Sequence, residues 1–113
     1  DRERSTLDPM TTPTIIAIVD FAVNATDRPA ALARLGRERS AVRSMPGCVD
    51  FRFFRSYEDP TAITVLHEWT DQESFGGYLS SDTFARFGED LRPRMTAAPS
   101  SRRFDVELID TVA

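Results

Sequence analysis

The sequence predicts an α+β fold of the ferredoxin-like type, with elements in the order βαββαβ. Three observations favour it: a β-branched apolar run over residues 14–23, an apolar helical stripe that stops at Pro46-Gly47, and two β-rich runs that flank a turn at Glu58-Asp59-Pro60. The 113 residues suit one domain. We therefore expect a four-stranded antiparallel sheet with helices on one face.

The first half of the chain contains one strand and one helix in this prediction. The run from Thr14 to Val23 is apolar and β-branched, which is typical of a buried strand. Asp27 offers a helix cap and Pro29 an early helical proline, so a helix is expected to follow. The apolar stripe of that helix comprises Leu32, Leu35, Val42 and Met45, and its charged face comprises Arg34, Arg37, Glu38, Arg39 and Arg43.

Three further strands are expected in the second half. Residues from Val49 to Tyr57 alternate between a largely aromatic set and a more polar set, which predicts a strand. Ala62 to Trp69 is a second β-rich run, and the turn between the two predicts an antiparallel hairpin. The alternation from Arg103 to Thr111 predicts the last strand.

Helical segments lie between the hairpin and the last strand. Thr70-Asp71-Gln72-Glu73 has the pattern of a capping box, in which the Thr70 hydroxyl caps a helix start. Gly76-Gly77 should keep this helix short, with a break near Ser80-Ser81. A third helical piece should restart at Asp82, and Pro93 should end or kink it.

Composition and charge exclude several classes of protein. The net charge of −4 argues against a nucleic-acid partner, which would need clustered basic residues. The chain has no lysine, so lysine Schiff-base chemistry is excluded. The single Cys48 forms no intramolecular disulfide and has no His or Cys at metal-ligand spacing. We therefore expect neither a disulfide scaffold nor a metal site.

Nothing in the sequence marks export or membrane insertion. The longest apolar stretch, Ile15 to Val19, is far below the roughly 18 residues of a membrane span, and no hydrophobic signal core is present. We expect a cytoplasmic protein with no membrane partner. Residues 1–13 are expected to be a flexible arm or a tag remnant, and residues 14–113 the folded domain.

His67 and Tyr78 are the candidate catalytic residues. His67 is the only histidine, and its unperturbed pKa near neutral makes it the natural general base. The Tyr78 hydroxyl, on the second helix, could donate a hydrogen bond to a carbonyl or enolate oxygen. Alternatively, His67 is a strand histidine that bonds a backbone group or faces solvent, and Tyr78 is an amphipathic helix residue with a wet tip.

Five residues are candidates for binding a substrate. Trp69 offers a flat surface for a planar aromatic ring, unless it simply belongs to the core. Arg55 and Arg86 could bind a phenolate or a carboxylate, unless they are solvated surface charges. Phe53 and Phe84 would add aromatic lining. No Gly-rich phosphate loop, nucleophile elbow or Cys-x-x-Cys pair is present, so the chemistry is expected to need no cofactor.

A pattern in the middle of the chain resembles a known family. The run Met45-Pro46-Gly47-Cys48-Val49, followed by His67-Glu68-Trp69 and a capped helix, is similar to the pattern of the antibiotic biosynthesis monooxygenase superfamily over roughly residues 14–111. The resemblance implies a dimeric α/β barrel. It also implies that O2 oxidises a hydrophobic aromatic molecule of the anthrone or quinol type without flavin, metal or haem.

The chain departs from the family pattern at several positions. Val65 stands where oxygenases of this family carry an Asn, and Ile18-Val19-Asp20-Phe21-Ala22 stands where their first strand tends to carry another. The segment from Phe84 to Gly88 has no histidine, which disfavours the haem-degrading branch of the superfamily. The alternative function is therefore a dimeric module of the same fold that binds a small molecule without turnover.

One layer of helices leaves one face of the predicted sheet uncovered. The strands with Phe51 and Phe53, and with Phe104 and Val106, carry more apolar surface than such a layer covers on both sides. A symmetric homodimer that stacks two sheets would cover it.

Overall fold

The structure is a computed structural model that describes residues 12–113. Four strands form one antiparallel sheet in the order β2-β3-β1-β4. The predicted α+β ferredoxin-like fold is confirmed, and the sheet of a single chain is open rather than closed into a barrel. The strands are β1 (Ile15–Ala22), β2 (Cys48–Arg55), β3 (Ala62–Trp69) and β4 (Ser100–Asp105), and the helices are α1 (Arg28–Arg43), α2 (Gln72–Leu79) and α3 (Asp82–Leu91).

Two short turns flank the helices α1 and α3. Single 3₁₀ turns, Ala25–Asp27 and Arg92–Arg94, precede α1 and follow α3. The expectation of a flexible arm falls almost entirely on residues 1–11, which lie outside the described residues. Within residues 12–113, no helix combines the length and the apolar composition that crossing a membrane requires.

Most predicted boundaries are confirmed, but the cap of α2 is not. β3 has the predicted bounds, and the break between α2 and α3 falls at Ser80-Ser81. The cap of α2 is Asp71 rather than Thr70, because the Asp71 carboxylate accepts a hydrogen bond from the Ser74 backbone N–H at 2.7 Å. The Thr70 hydroxyl instead donates to Asp71 at 3.0 Å and so holds the capping carboxylate in place.

The prediction for the last strand is also wrong in its position. β4 covers Ser100–Asp105, whereas the alternation placed a strand over residues 103–111. β4 pairs only with β1, and the register ends where Ile15 meets Asp105. The Val106 N–H still donates to the Thr14 carbonyl at 2.8 Å, but beyond it β1 offers no further partner. The alternating residues that follow therefore have no strand to pair with within residues 12–113.

One face of the sheet packs against the helices and forms the core. Alternate residues of β3, the four from Ile63 to Trp69, are buried on this face, as the period of two predicts. Ala17 of β1 and Phe51 of β2 lie on the same face, because each pairs with His67 across the sheet. This core layer positions the site described below.

The other face carries no helix from the described part of the chain, and its composition differs from the prediction. Phe51 and Phe53 pair with His67 and Val65, so they belong to the helix-covered face and not to the open one. The open face carries Ile16, Ile18 and Leu66 at its centre, together with Phe54, which is 48% exposed, and Phe104, which is 42% exposed. The apolar open face is therefore real, but different side chains form it.

Gly47 is the residue that lets the chain pass from α1 into β2 beside α2. Its φ of 79° lies in the left-handed region, which side chains other than glycine rarely adopt. A Cβ at this position would also collide with the Ser74 side chain. We expect Gly47→Ala to lower the free energy of unfolding by about 2 kcal/mol or more, measured by urea unfolding.

Gly36→Ala is the matched control for this substitution. Gly36 lies within α1, and a Cβ there meets nothing within 4 Å. Because alanine favours a helix, Gly36→Ala should raise the free energy of unfolding by about 0.5 to 1 kcal/mol. Equal effects of the two substitutions would contradict the role assigned to Gly47.

Candidate functional site

A cavity of about 110 Å³ lies between the helix-covered face of the sheet and helices α2 and α3. Its size is comparable with the engineered cavity of about 150 Å³ that binds benzene in another protein. Its walls are largely aromatic and aliphatic, which is typical of sites for small hydrophobic molecules. The apolar lining comprises Val19, Phe21, Phe51, Val65, Phe75, Leu79, Phe84, Phe87, Leu91, Met95 and Pro99.

The polar lining is sparse and contains no acidic group among the described residues. It consists of His67 on β3, Tyr78 on α2, Ser101 and Arg103 on β4, and Arg92 just after α3. The strand pairing explains why distant residues meet here. Ala17 pairs with His67 on one side and with Arg103 on the other, so the three residues form one row across the sheet. Ala17 itself is fully buried and does not line the cavity.

His67 is held by a hydrogen bond from Trp69. Both side chains project from the same face of β3, and the Trp69 indole Nε1 donates to His67 Nδ1 at 2.8 Å. An indole N–H can only donate, so Nδ1 is the acceptor and carries no proton. The neutral imidazole therefore carries its proton on Nε2. The ring is packed by Phe51, Phe75 and Tyr78, with centroids 5.5 to 5.8 Å away.

Burial keeps His67 neutral. Its side chain is 5% exposed, and burial, together with the nearby positive charge of Arg103, lowers the pKa of His67 from 6.5 to about 4. The prediction of a general base assumed an ordinary pKa, and that assumption is wrong. At neutral pH His67 has no free lone pair on Nδ1, and its Nε2–H is a donor.

Tyr78 is committed to a carboxylate outside the cavity. Its hydroxyl donates to Glu38 on α1 at 2.6 Å, while its ring stacks on Trp69 with centroids 5.5 Å apart. Glu38 is 1% exposed, although the sequence pattern had placed it on the charged face of its helix. Arg34 donates to the second Glu38 oxygen at 3.2 Å and to Asp90 on α3 at 2.7 Å. The Tyr78 hydroxyl is therefore part of a network that joins all three helices.

The pKa values within this network follow from burial. Burial raises the pKa of Glu38, and the hydrogen bonds from Tyr78 and Arg34 oppose that rise. Burial and the Glu38 hydrogen bond raise the pKa of Tyr78 far above its usual value. The phenol is consequently protonated at any working pH and keeps its proton directed at Glu38.

Of the predicted substrate-binding residues, the structure places one at the cavity and the others away from it. Phe84 lines the cavity, whereas Trp69 is fully buried behind His67. Phe53, Arg55 and Arg86 do not line it. Phe53 lies beneath α1, where the Arg39 guanidinium sits 5.1 Å from its ring centroid, and Arg55 is exposed at the end of β2. The reason is that α1 covers the β2 side of the sheet, while the cavity lies over β3, β1 and β4.

Arg86 lies on the far side of α3 from the cavity. It is exposed and borders a surface cleft that it shares with Arg34, Glu38 and Asp90. Residue type alone had selected it, because an arginine on a helix next to Phe84 has the right chemistry for an anionic substrate. Residues two positions apart on an α-helix point to nearly opposite sides, so Arg86 points away from the cavity that Phe84 lines.

Arg103 is the cavity residue that the sequence analysis missed. Its guanidinium carbon lies 5.5 Å from the centroid of the Phe75 ring, and its Nε donates to the Ser101 hydroxyl at 3.2 Å. Within residues 12–113 it forms no ion pair, whereas five other arginines do. The alternation around Phe104 was the available signal, but it does not say which neighbouring strand β4 joins.

Metal binding has no evident basis in the described part of the chain. No three His, Cys, Asp or Glu side chains among residues 12–113 lie close enough together to hold an ion. Burial and the nearby Asp50 raise the pKa of the half-buried Cys48 to about 11, so its thiol is protonated at neutral pH. That the chemistry needs no cofactor stays a prediction.

Comparison with known proteins identifies the family. The family model described as antibiotic biosynthesis monooxygenase matches residues 14–90. The chain therefore belongs to the antibiotic biosynthesis monooxygenase family, as the motif in its centre suggested. Comparison with curated proteins gives no significant match.

Several solved structures share the fold at low sequence identity. A conserved protein from Methanosarcina mazei Go1 has a TM-score of 0.80 and 17% identity, over 87% of this chain and 97% of that one. Rv0793 from Mycobacterium tuberculosis has a TM-score of 0.76 and 14% identity, over 90% and 100%. A protein named antibiotic biosynthesis monooxygenase has a TM-score of 0.76 and 15% identity, over 83% and 99%. Identities this low establish the common fold alone.

The neutral state of His67 leads to a prediction about stability. Its folded pKa of about 4 lies below the value of 6.5 for an exposed histidine. Between these pH values the unfolded chain binds more protons, so the contribution of His67 is present above pH 6.5 and is lost as the pH falls towards 4. We expect the free energy of unfolding to fall between neutral pH and pH of about 4.5 by about 2 kcal/mol more in the wild type than in His67→Gln.

Urea unfolding at a series of pH values measures this difference. Gln is a suitable replacement because its side-chain oxygen can still accept the Trp69 indole hydrogen bond. The exposed carboxylates that titrate in the same range are common to both proteins, so they cancel in the comparison. Parallel pH profiles would mean that His67 has an ordinary pKa in the folded protein.

Proposed function

We propose that this protein is a monooxygenase that oxidises a small aromatic molecule with O2 and without an added cofactor. One observation carries the proposal: a largely aromatic cavity whose polar lining offers hydrogen-bond donors and, among the described residues, no carboxylate. Membership of the antibiotic biosynthesis monooxygenase family supports it. Such a cavity favours the electron-rich, ionised form of a phenol or an enol, which is the form that reacts with O2.

The reaction balances without a redox group on the protein. An ionised substrate transfers electrons to O2, one oxygen atom is incorporated into the ring system, and the other leaves as water, so all of the electrons come from the substrate. The protein's part is to bind and orient the ring, to exclude water and to stabilise the negative oxygen with fixed donors. His67 Nε2–H and the Arg103 guanidinium are the donors in the right place for this role.

A binding module without turnover is the second candidate. The specific observation in its favour is that neither predicted catalytic residue is free for proton transfer. His67 is a poor base because its pKa is low and its Nδ1 already accepts a hydrogen bond from Trp69. The Tyr78 hydroxyl donates its hydrogen bond to Glu38. Val65, in place of the Asn of the oxygenases, leaves an apolar wall at a position where they have an amide.

Oxygen uptake with quinols and anthrones separates the two functions. We expect uptake above the rate of the protein-free solution, unchanged by EDTA. Leu79→Trp should reduce it about tenfold or more by filling the cavity, which Leu79 lines from α2. Leu32→Trp is the control, because Leu32 is an equally half-buried helical leucine that does not line the cavity. Binding of the substrate without uptake would support the binding module instead.

Tyr78→Phe belongs in the same assay. Because the hydroxyl is directed at Glu38, the substitution should leave turnover within about threefold and lower the free energy of unfolding by about 1 to 3 kcal/mol, the cost of leaving a buried carboxylate one partner short. A loss of turnover at unchanged stability would restore the catalytic role first assigned to Tyr78.

We also propose that the protein is a homodimer joined through the open face of the sheet. In the middle row of that face Arg52, Leu66, Ile18 and Arg102 follow one another across four strands, with arginines at both ends. Arg52 pairs with Asp50 and Glu68, and Arg102 pairs with Asp20. An apolar centre with a charged rim is the pattern of a protein interface.

The mass in solution tests the dimer. Light scattering should give about 25 kDa, twice the chain mass of 12.7 kDa. Ile18→Glu should give the monomer, because it buries a charge at the centre of the proposed interface. Tyr57→Glu, which places the same charge on an exposed loop residue off the sheet, should leave the dimer intact. A monomeric wild type at micromolar concentration would refute the proposal.

A further inference from the structure

Two hydrogen-bond donors face the cavity from the same row of the sheet. His67 Nε2 makes no hydrogen bond within the described residues, and no fully buried side-chain nitrogen or oxygen there lacks a partner. Nε2 is therefore reached from the cavity. Arg103 approaches from β4, beyond the small side chain of Ala17. Both residues line the cavity, so an anionic oxygen bound there between them would meet a neutral donor on one side and a positive charge on the other.

The position of Arg103 is restrained, and its charge is not neutralised by an ion pair. The hydrogen bond from its Nε to the Ser101 hydroxyl and the contact with the Phe75 ring hold the guanidinium in place. Its terminal nitrogens have no acidic partner among residues 12–113. Arg102, the next residue on β4, points to the opposite face and pairs with Asp20 at 3.4 Å. The two arginines therefore differ in one respect that matters: only Arg103 has its charge available to a ligand.

The charged groups around the site have one prevailing sign. Arg92, after α3, adds a second positive charge to the lining. β1 and β2 contribute the apolar Ala17 and Phe51 to the row, and the carboxylate of Glu38 on α1 is occupied by Tyr78 and Arg34. Asp105 lies on β4 at the level of Ile15, one paired row beyond Arg103 on the same face. It does not line the cavity but borders a neighbouring cleft, which Arg103 also borders.

We propose that the cavity selects the anionic form of a single-ring phenol, whose oxygen is bound by the Arg103 guanidinium and by His67 Nε2–H. The inference rests on the proposed function and narrows it. The ligand loses its proton to water before it enters, because no group in the described lining is placed to accept that proton. A volume of about 110 Å³ accommodates one aromatic ring.

Trp69 is a positioning residue in this arrangement. It does not line the cavity, but its N–H keeps the proton of His67 on Nε2, the nitrogen that faces the ligand. With phenylalanine in its place, either tautomer of the imidazole would satisfy its surroundings. His67 would then present a lone pair to the anion for part of the time, and binding of the anion would weaken.

Binding of 4-nitrophenol to the full-length chain tests the proposal. The neutral and anionic forms of this probe have different visible spectra, and its poor reactivity with O2 separates binding from turnover. The bound probe should show an apparent pKa about 1 below that of the free probe, which corresponds to a roughly tenfold preference for the anion. 4-Nitroanisole, which cannot ionise, measures the affinity for the apolar part of the ligand.

Two arginine variants make the comparison specific. Arg103→Met should abolish the preference for the anion and leave the affinity for 4-nitroanisole unchanged. Arg102→Met, which removes the same charge from the other face of the same strand, should keep the preference. An unshifted or raised apparent pKa in the wild type, equal losses in both variants, or no binding of either probe would each overturn the proposal.

The tautomer of His67 gives an independent readout. The chain has one histidine, so a long-range ¹H–¹⁵N spectrum of protein without an affinity tag reports a single imidazole. We expect the proton on Nε2 in the wild type and a mixture of tautomers in Trp69→Phe, with a weaker preference for the anion in that variant. A proton on Nδ1 in the wild type would contradict the site. Selective anion binding without O2 uptake would refute the proposed oxidation while leaving this inference intact.

Discussion

The central position of β3 is the constraint on which the rest of the structure depends. β3 pairs with β2 on one side and with β1 on the other, and its alternate residues face opposite sides of the sheet. His67 and Trp69 therefore enter the same apolar layer beneath α2, where they can bond to each other. A slip of one residue in this pairing would exchange the two faces and place Leu66 and Glu68 in the core.

Polar side chains inside the apolar layer form hydrogen bonds with one another, and these bonds determine which groups are left to act on a ligand. The indole of Trp69 is bonded to His67, and the hydroxyl of Tyr78 is bonded to Glu38. Leaving any of these groups without a partner in so dry an environment would cost stability. The groups that look most suited to proton transfer are thus occupied in holding the fold together. What faces the cavity is a set of donors, which suits recognition of a negative oxygen better than removal of a proton.

The site could be predicted in part. His67 was selected because it is the only histidine, Tyr78 because of its hydroxyl and Phe84 because of its aromatic ring, and the structure places all three at the cavity. Arg103 was missed because only the pairing of β4 with β1 brings it beside His67, and no local pattern encodes that pairing. Arg55 and Arg86 were selected for the chemistry of arginine, yet the cover of α1 over β2 and the rotation of α3 place them away from the cavity. Glu38 was assigned to solvent because charge alone does not reveal a buried partner.

The sequence by itself determined the order of the elements, the break between α2 and α3, the alternation of β3 and the family motif. These features are local. Each depends on residues a few positions apart, so their patterns can be recognised without the tertiary structure. The tertiary structure decided the pKa of His67, the partner of Tyr78, the bounds of β4 and the identity of the cationic residue at the cavity. Each of those depends on desolvation or on contacts between residues far apart in the chain, which no local pattern contains.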